Sequence, residues 1–151
     1  MSHKSEMTEL TVGCALYDGA RILLQQSKYR DWAGLCLPGG HLEAGESIVD
    51  AVVREMQEET GLTVLDPRLS CVKQFQNGAG ERYLVFLFTA HTFTGTLRDS
   101  EEGHNAWYDR NDLKDLNLVE DLEDQLMAME RPDISEFLRL EEGDQWHSEY
   151  R

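Results

Sequence analysis

Residues 40–62 read GHLEAGESIVDAVVREMQEETGL, and within them Arg54, Glu55, Glu58 and Glu59 put four ionised side chains on little more than one helical turn. At the helical period Ile48, Ala51, Val52 and Met56 form an apolar stripe, and Glu59 falls inside it, with Glu55 and Glu58 along one margin. Carboxylates spaced i,i+4, as Glu55 and Glu59 are, repel unless a cation compensates them. A carboxylate aimed at a buried face is costly unless it is paired, protonated or bound to a metal. An Arg54–Glu58 pair on a solvated acidic face accounts for two of these charges and leaves Glu59 unexplained. Ser47, with Asp50 three residues on, supplies an N-cap and an approximate capping box, and Gly61 a C′ stop, so a helix is predicted over 48–60. Ahead of it, Leu37-Pro38-Gly39-Gly40 allows a sharp turn that brings backbone carbonyls and amides close to a ligand.

The spacing resembles the signature of the Nudix hydrolases: Gly40, five residues, Glu46, seven residues, Arg54-Glu55, apolar Met56, one residue, Glu58-Glu59, one residue, Gly61 and apolar Leu62. The box occupies 40–62, and the elements around it carry the resemblance over roughly residues 8–130. The resemblance implies an α/β (α+β) class and the Nudix fold, an α/β/α sandwich with a central mixed β-sheet. Residues 1–151 are then one domain with a C-terminal extension at 133–151. It also implies hydrolysis of a nucleoside diphosphate linked to another moiety, with Mg²⁺, or alternatively Mn²⁺, as cofactor. Glu55, Glu58 and Glu59 are the implied metal ligands, joined by the carbonyl of Gly39; Arg54 orients the carboxylates and Glu46 supports the loop or an additional metal. The implied general base is a box glutamate or one on a later loop, where Ser100-Glu101-Glu102-Gly103 offers Glu101 or Glu102.

Within the family the surroundings resemble the MutT-like branch, which converts oxidised purine triphosphates such as 8-oxo-dGTP to the monophosphate and pyrophosphate. Candidate substrate contacts are Leu37, Trp32, Glu120 and Asp121; Phe75, Tyr83 and Trp107 also border the expected pocket. The chain departs from that branch's bacterial prototype in having Gln25-Gln26 where a basic pair falls, and Glu120 or Asp121 where a base-reading asparagine falls. Alternative substrates are a nucleotide sugar or the 5′ end of RNA. A catalytically silent ligand-binding module is a third alternative, against which the intact Glu55, Glu58 and Glu59 speak.

The 151 residues carry a net charge of −15, most of the acidic excess lying after Asp99. Such a field disfavours long nucleic acid and is compatible with a small nucleotide escorted by metal. No apolar run is long enough to span a bilayer, and Met1–Glu9 is polar, so no membrane association, no cleaved signal and a cytoplasmic location are expected. Cys14, Cys36 and Cys71 are odd in number and set among apolar neighbours, which predicts packed, reduced thiols. Monomer and homodimer both remain open. Strands are predicted at 10–17 and 21–26 around an Asp18-Gly19 turn, at 69–76, 82–93 and 106–108, making about six in all. Leu118, Leu122, Leu126 and Met129 predict a second helix over 117–130, stopped by Pro132, and residues 134–140 a further short helix before a frayed acidic tail.

Overall fold

Residues 11–16 are buried without interruption, as expected of a strand covered on both faces. They form the middle of β1 (Thr8–Asp18), the strand around which the molecule is organised in the computed structural model, which describes residues 3–28 and 34–151. β2 (Arg21–Ser27), β3 (Leu35–Cys36) and β4 (Gly39–His41) follow, then α1 (Ile48–Thr60) and β5 (Leu62–Leu65). Next come β6 (Arg68–Gln76), β7 (Arg82–Ala90), β8 (Thr92–Gly95) and β9 (Gly103–Asp109). A 3-10 helix (Arg110–Asp115), α2 (Leu122–Glu130), β10 (Glu136–Glu142) and β11 (Gln145–Tyr150) complete the chain.

The main sheet runs β11-β10-β6-β7-β1-β2-β3 and is mixed, with β1 parallel to β7, β6 antiparallel to β7 and β10 parallel to β6. On its other edge β1 pairs with β4 at Thr11–Gly13 and with β2 only at Tyr17 and Asp18. The sheet therefore splits there, and β2 carries β3 and β9 away as a second wing. Alternating side chains feed two cores. Val12, Cys14, Leu16 and Phe88 pack with Ala51, Val52 and Met56 of α1. Ala15, Leu87, Cys71 and Phe137 pack with Leu122, Leu126 and Met129 of α2. One helix thus covers each face, the sandwich that the sequence implied. Each fully buried aliphatic side chain contributes about 1.5–3 kcal/mol, so the α1 stripe alone secures that helix.

The box helix has its predicted bounds. The Ser47 hydroxyl accepts from the Asp50 amide at 3.3 Å, and Gly61 (φ +77°) ends the helix with its amide on the Gln57 carbonyl. α1 has no basic residue in its last turn; Arg98 replaces one, donating to the Gln57 carbonyl at 3.1 Å.

Several expectations are corrected. The first hairpin turns through Gly19-Ala20 instead of Asp18-Gly19, because Asp18 still pairs with Arg21. The long strand over 82–93 is broken at His91, and Thr92–Gly95 leaves the sheet to pair with β5, which the apolar pattern did not separate from the helix. The second helix starts at Leu122; Leu118 lies in a bridge with Leu35, so its apolar spacing came from packing and not from helix. Residues 133–151 hold no helix. Phe137 and Arg139 are buried while Glu136 and Leu138 are half-buried and Leu140 exposed, a period of two, and the Gly143 turn returns the chain as β11. The acidic tail is a paired strand, and the described residues contain eleven strands in place of about six.

Candidate active site

The box arginine is the centre of the site. Arg54 leaves α1 to meet the loop before it, donating Nε to Glu46 Oε2 (2.7 Å) and Nη2 to Glu46 Oε1 (2.9 Å). Its Nη1 reaches Glu55 Oε1 (3.0 Å) and Glu58 Oε2 (3.1 Å), and Nη2 also the His41 carbonyl (3.0 Å). A guanidinium suits this work because its donors are fixed in one plane. The fork onto Glu46 holds that carboxyl down at about 2 and raises the arginine further above its ordinary value. The loop carrying Glu46 is thereby tied to the helix.

Glu55 and Glu59 are buried, each 8 % exposed, whereas the Glu58 side chain is 56 % exposed. The helical wheel assigned Glu55 and Glu58 to one margin; packing under β4 distinguishes them. A Cβ on Gly40 would run into the Glu55 carboxylate, which explains a glycine at the residue after the turn. Burial pushes the Glu55 carboxyl above the usual range, opposed by Arg54 and reinforced by the charges of Glu58 and Glu59. Burial also raises Glu59, opposed by hydrogen bonds from Gln25 and Ser100 and reinforced by Glu102 and Glu58. Ser100 of the late acidic turn bonds Glu59, so that turn does come to the box helix.

Gln25 Nε2 and Ser100 Oγ each donate to Glu59 Oε2 at 3.1 Å. Asn105 Nδ2 donates to the Glu59 carbonyl (2.7 Å) and the Arg98 carbonyl (3.0 Å), while its Oδ1 is buried without a partner. These three residues escaped the sequence-based assignment of roles. For two of them the signal was a polar amide beside an apolar pair, Gln25 after Leu23-Leu24 and Asn105 before Ala106-Trp107; Ser100 had none.

The remaining candidates are dispersed. Leu37 is buried in the α2-side core. Asp121 forms ion pairs with Lys73 and, at 3.7 Å, with Arg139, while the Glu120 side chain is 76 % exposed and 3.6 Å from Arg139. Phe75 and Tyr83 stack on each other at 4.6 Å, and Trp107 stacks on Phe93 against the α1-side core. Trp32 lies outside the described residues.

No three carboxylate, imidazole or thiol groups among the described residues form a ready-made metal cage. The donor set nevertheless fits a hard cation. Arg54 takes one oxygen each of Glu55 and Glu58, while Gln25 and Ser100 take one of Glu59. Among the described residues the second oxygen of each carboxylate has no such hydrogen bond, and Mg²⁺ ordinarily completes its shell with waters and substrate phosphates.

An α/β/α sandwich with an acidic box helix behind a Gly-Gly turn defines the class, and the NUDIX domain model matches residues 7–129. The chain belongs to the Nudix family and is a Nudix hydrolase acting on a nucleotide derivative. Members of this family generally use divalent metal ions. The chain is 38 % identical over 111 residues to the uncharacterized Nudix hydrolase YvcI of Bacillus subtilis, covering 70 % of this chain and 69 % of that one. It is 34 % identical over 97 residues to the human 8-oxo-dGDP phosphatase NUDT18, covering 61 % of this chain but only 29 % of that longer protein. The crystal structure of a MutT protein from Bacillus halodurans superposes with a TM-score of 0.75 at 26 % identity, covering 93 % of this chain and 97 % of that one. The MutT-like assignment holds. No helix among the described residues is long and apolar enough to cross a membrane.

Proposed function

We propose that the protein hydrolyses the pyrophosphate linkage of a nucleoside triphosphate with an oxidised or non-standard base, such as 8-oxo-dGTP, giving the monophosphate and pyrophosphate with Mg²⁺. The observation that carries this is the pair of buried carboxylates, Glu55 and Glu59, placed on one helix where like charges need a cation between them. Glu55, Glu58 and Glu59 would hold the metal, with the Gly39 carbonyl as a further ligand. When bound, the metal neutralises phosphate charge and lowers the pKa of the attacking water. Arg54 keeps Glu55 and Glu58 in register, and Glu46 fixes Arg54. Glu102 accepts the proton of the attacking water, its turn being tied to Glu59 through Ser100.

We assign base recognition to Asp121, held by Lys73 and Arg139, together with Glu120, Trp32 and Leu37. The name of the relative NUDT18 supports an oxidised guanine nucleotide, and the net charge of −15 supports a small substrate over long nucleic acid. Three buried cysteines that form no disulfide support the cytoplasm. We take residues 1–151 as one domain, since β10 continues the sheet of the Nudix region. The test is kcat/KM with Mg²⁺ over 8-oxo-dGTP, 8-oxo-dGDP, ordinary dNTPs, ADP-ribose, nucleotide sugars and capped or triphosphorylated RNA. 8-oxo-dGTP should exceed dGTP by at least tenfold, about 1.4 kcal/mol of transition-state preference; equal values overturn the oxidised-base substrate.

A further inference from the structure

Among the described residues Glu59 is gripped by one oxygen only. Gln25, 2 % exposed on β2, and Ser100, in the turn before β9, both donate to Oε2. Asn105, 4 % exposed and paired with Gln25 across β2 and β9, fixes the backbone of the same residue. The Ser100 hydroxyl also accepts from the Glu102 amide at 3.1 Å. The turn is closed by Ser100 and Gly103 bonding each other's carbonyls, and Glu102 is held next to the end of β2 by the amide of Lys28, the residue after that strand, on its carbonyl (2.9 Å).

We propose that Gln25 and Ser100 are positioning residues of the hydrolytic site: they fix Glu59 by Oε2, present Oε1 to the divalent cation, and set the Glu102 turn against it. The proposal rests on the metal-dependent function above and adds to it the two groups that orient one of its two buried ligands. Both donors are neutral, and this decides their effect. A lysine or arginine in place of Gln25 would bond the carboxylate equally well but cancel the charge that attracts the cation. An amide and a hydroxyl orient it while leaving that charge in place. One bound oxygen also restricts rotation about the last bond of Glu59, so the free oxygen is preorganised. Groups that orient metal ligands in this way are typically worth about 10–100-fold in metal affinity or activity.

The test is Mn²⁺ alone, titrated into metal-free full-length protein and followed by the electron paramagnetic resonance of the free ion. Wild type is compared with Ser100→Ala, Ser100→Thr and Gln25→Leu. Ser100→Ala and Gln25→Leu should each weaken Mn²⁺ binding about tenfold or more, with Ser100→Thr near wild type because it keeps the hydroxyl. In turnover, the alanine variant should lose kcat while KM for the nucleotide stays within about twofold. Unchanged Mn²⁺ affinity in Ser100→Ala overturns the proposal, as does a threonine variant as defective as the alanine one. Ser100 is only partly buried in a turn, so its pair of variants decides the matter without Gln25, the more deeply packed residue. If wild type binds Mn²⁺ but hydrolyses no nucleotide, the proposed function fails while the Mn²⁺ series still tests the clamp.

Discussion

At the scale of single residues the site is a set of carboxylates in unequal surroundings. Glu46 is matched to Arg54 and held low; Glu55 and Glu59 are buried and raised. The signs lead to opposite pH effects. A carboxyl raised in the fold keeps its proton to higher pH than the unfolded chain does, so metal-free protein gains stability as pH falls toward 4.5. A carboxyl held at about 2 stabilises the fold above 4.5, and that contribution is lost as pH falls through 2. Glu59→Gln, in EDTA at pH 7.5, should therefore melt at or above wild type, and added Mg²⁺ should raise the wild-type Tm more than the variant's. Glu46→Gln should instead flatten the loss of stability between pH 4.5 and 2; a profile unchanged from wild type would contradict the Arg54 fork. Function and stability oppose each other at Glu59 and agree at Glu46. Glu59 was legible in sequence because a charge interrupted an apolar stripe. Its partners Gln25 and Ser100 were not, because a hydrogen bond across β2 and the late turn has no spacing along the chain.

At the scale of elements, local signals were read well and long-range ones poorly. α1 was bounded correctly because Ser47 and Gly61 act on their own backbone. The hairpin of β10 and β11 was missed because its short strands resemble the start of a helix, and only the parallel edge of β6 selects the extended form. Phe137 is fully buried in the α2-side core and stacks on Tyr150, while Leu140 is exposed. Phe137→Ala should cost about 3–5 kcal/mol and lower Tm by about 10 °C, with Leu140→Ala close to neutral. Equal and small effects at both positions, measured by thermal melting, would show that the hairpin does not belong to the core.

At the scale of the whole molecule, the split of β1 between β4 and β2 places the proposed metal ligands and the acidic turn beside each other. β4 lies over Glu55, and β2 leads to β9 and the Ser100 turn at Glu59. No motif encodes that junction; it follows from how two wings of the sheet close around one helix. The same packing buries the thiols, pushing Cys14 up to about 12 and Cys71 to about 11 from an ordinary 9.0. Between pH 9 and 11 the unfolded chain then releases protons that the fold retains, so stability should fall as pH rises above 9. A thiol-reactive disulfide reagent at pH 8 should modify Cys14 and Cys71 only after denaturation; rapid reaction of the native protein at either would contradict their burial. The central claim is that carboxylates on α1 drive metal-dependent cleavage of a pyrophosphate linkage. Phosphorus NMR of 8-oxo-dGTP incubated with wild type and with Glu59→Gln tests it most directly. The expected result is monophosphate and pyrophosphate from wild type only when Mg²⁺ is present, and at least about 100-fold slower release from a variant with an unchanged circular dichroism spectrum. Equal rates from the two proteins would contradict it.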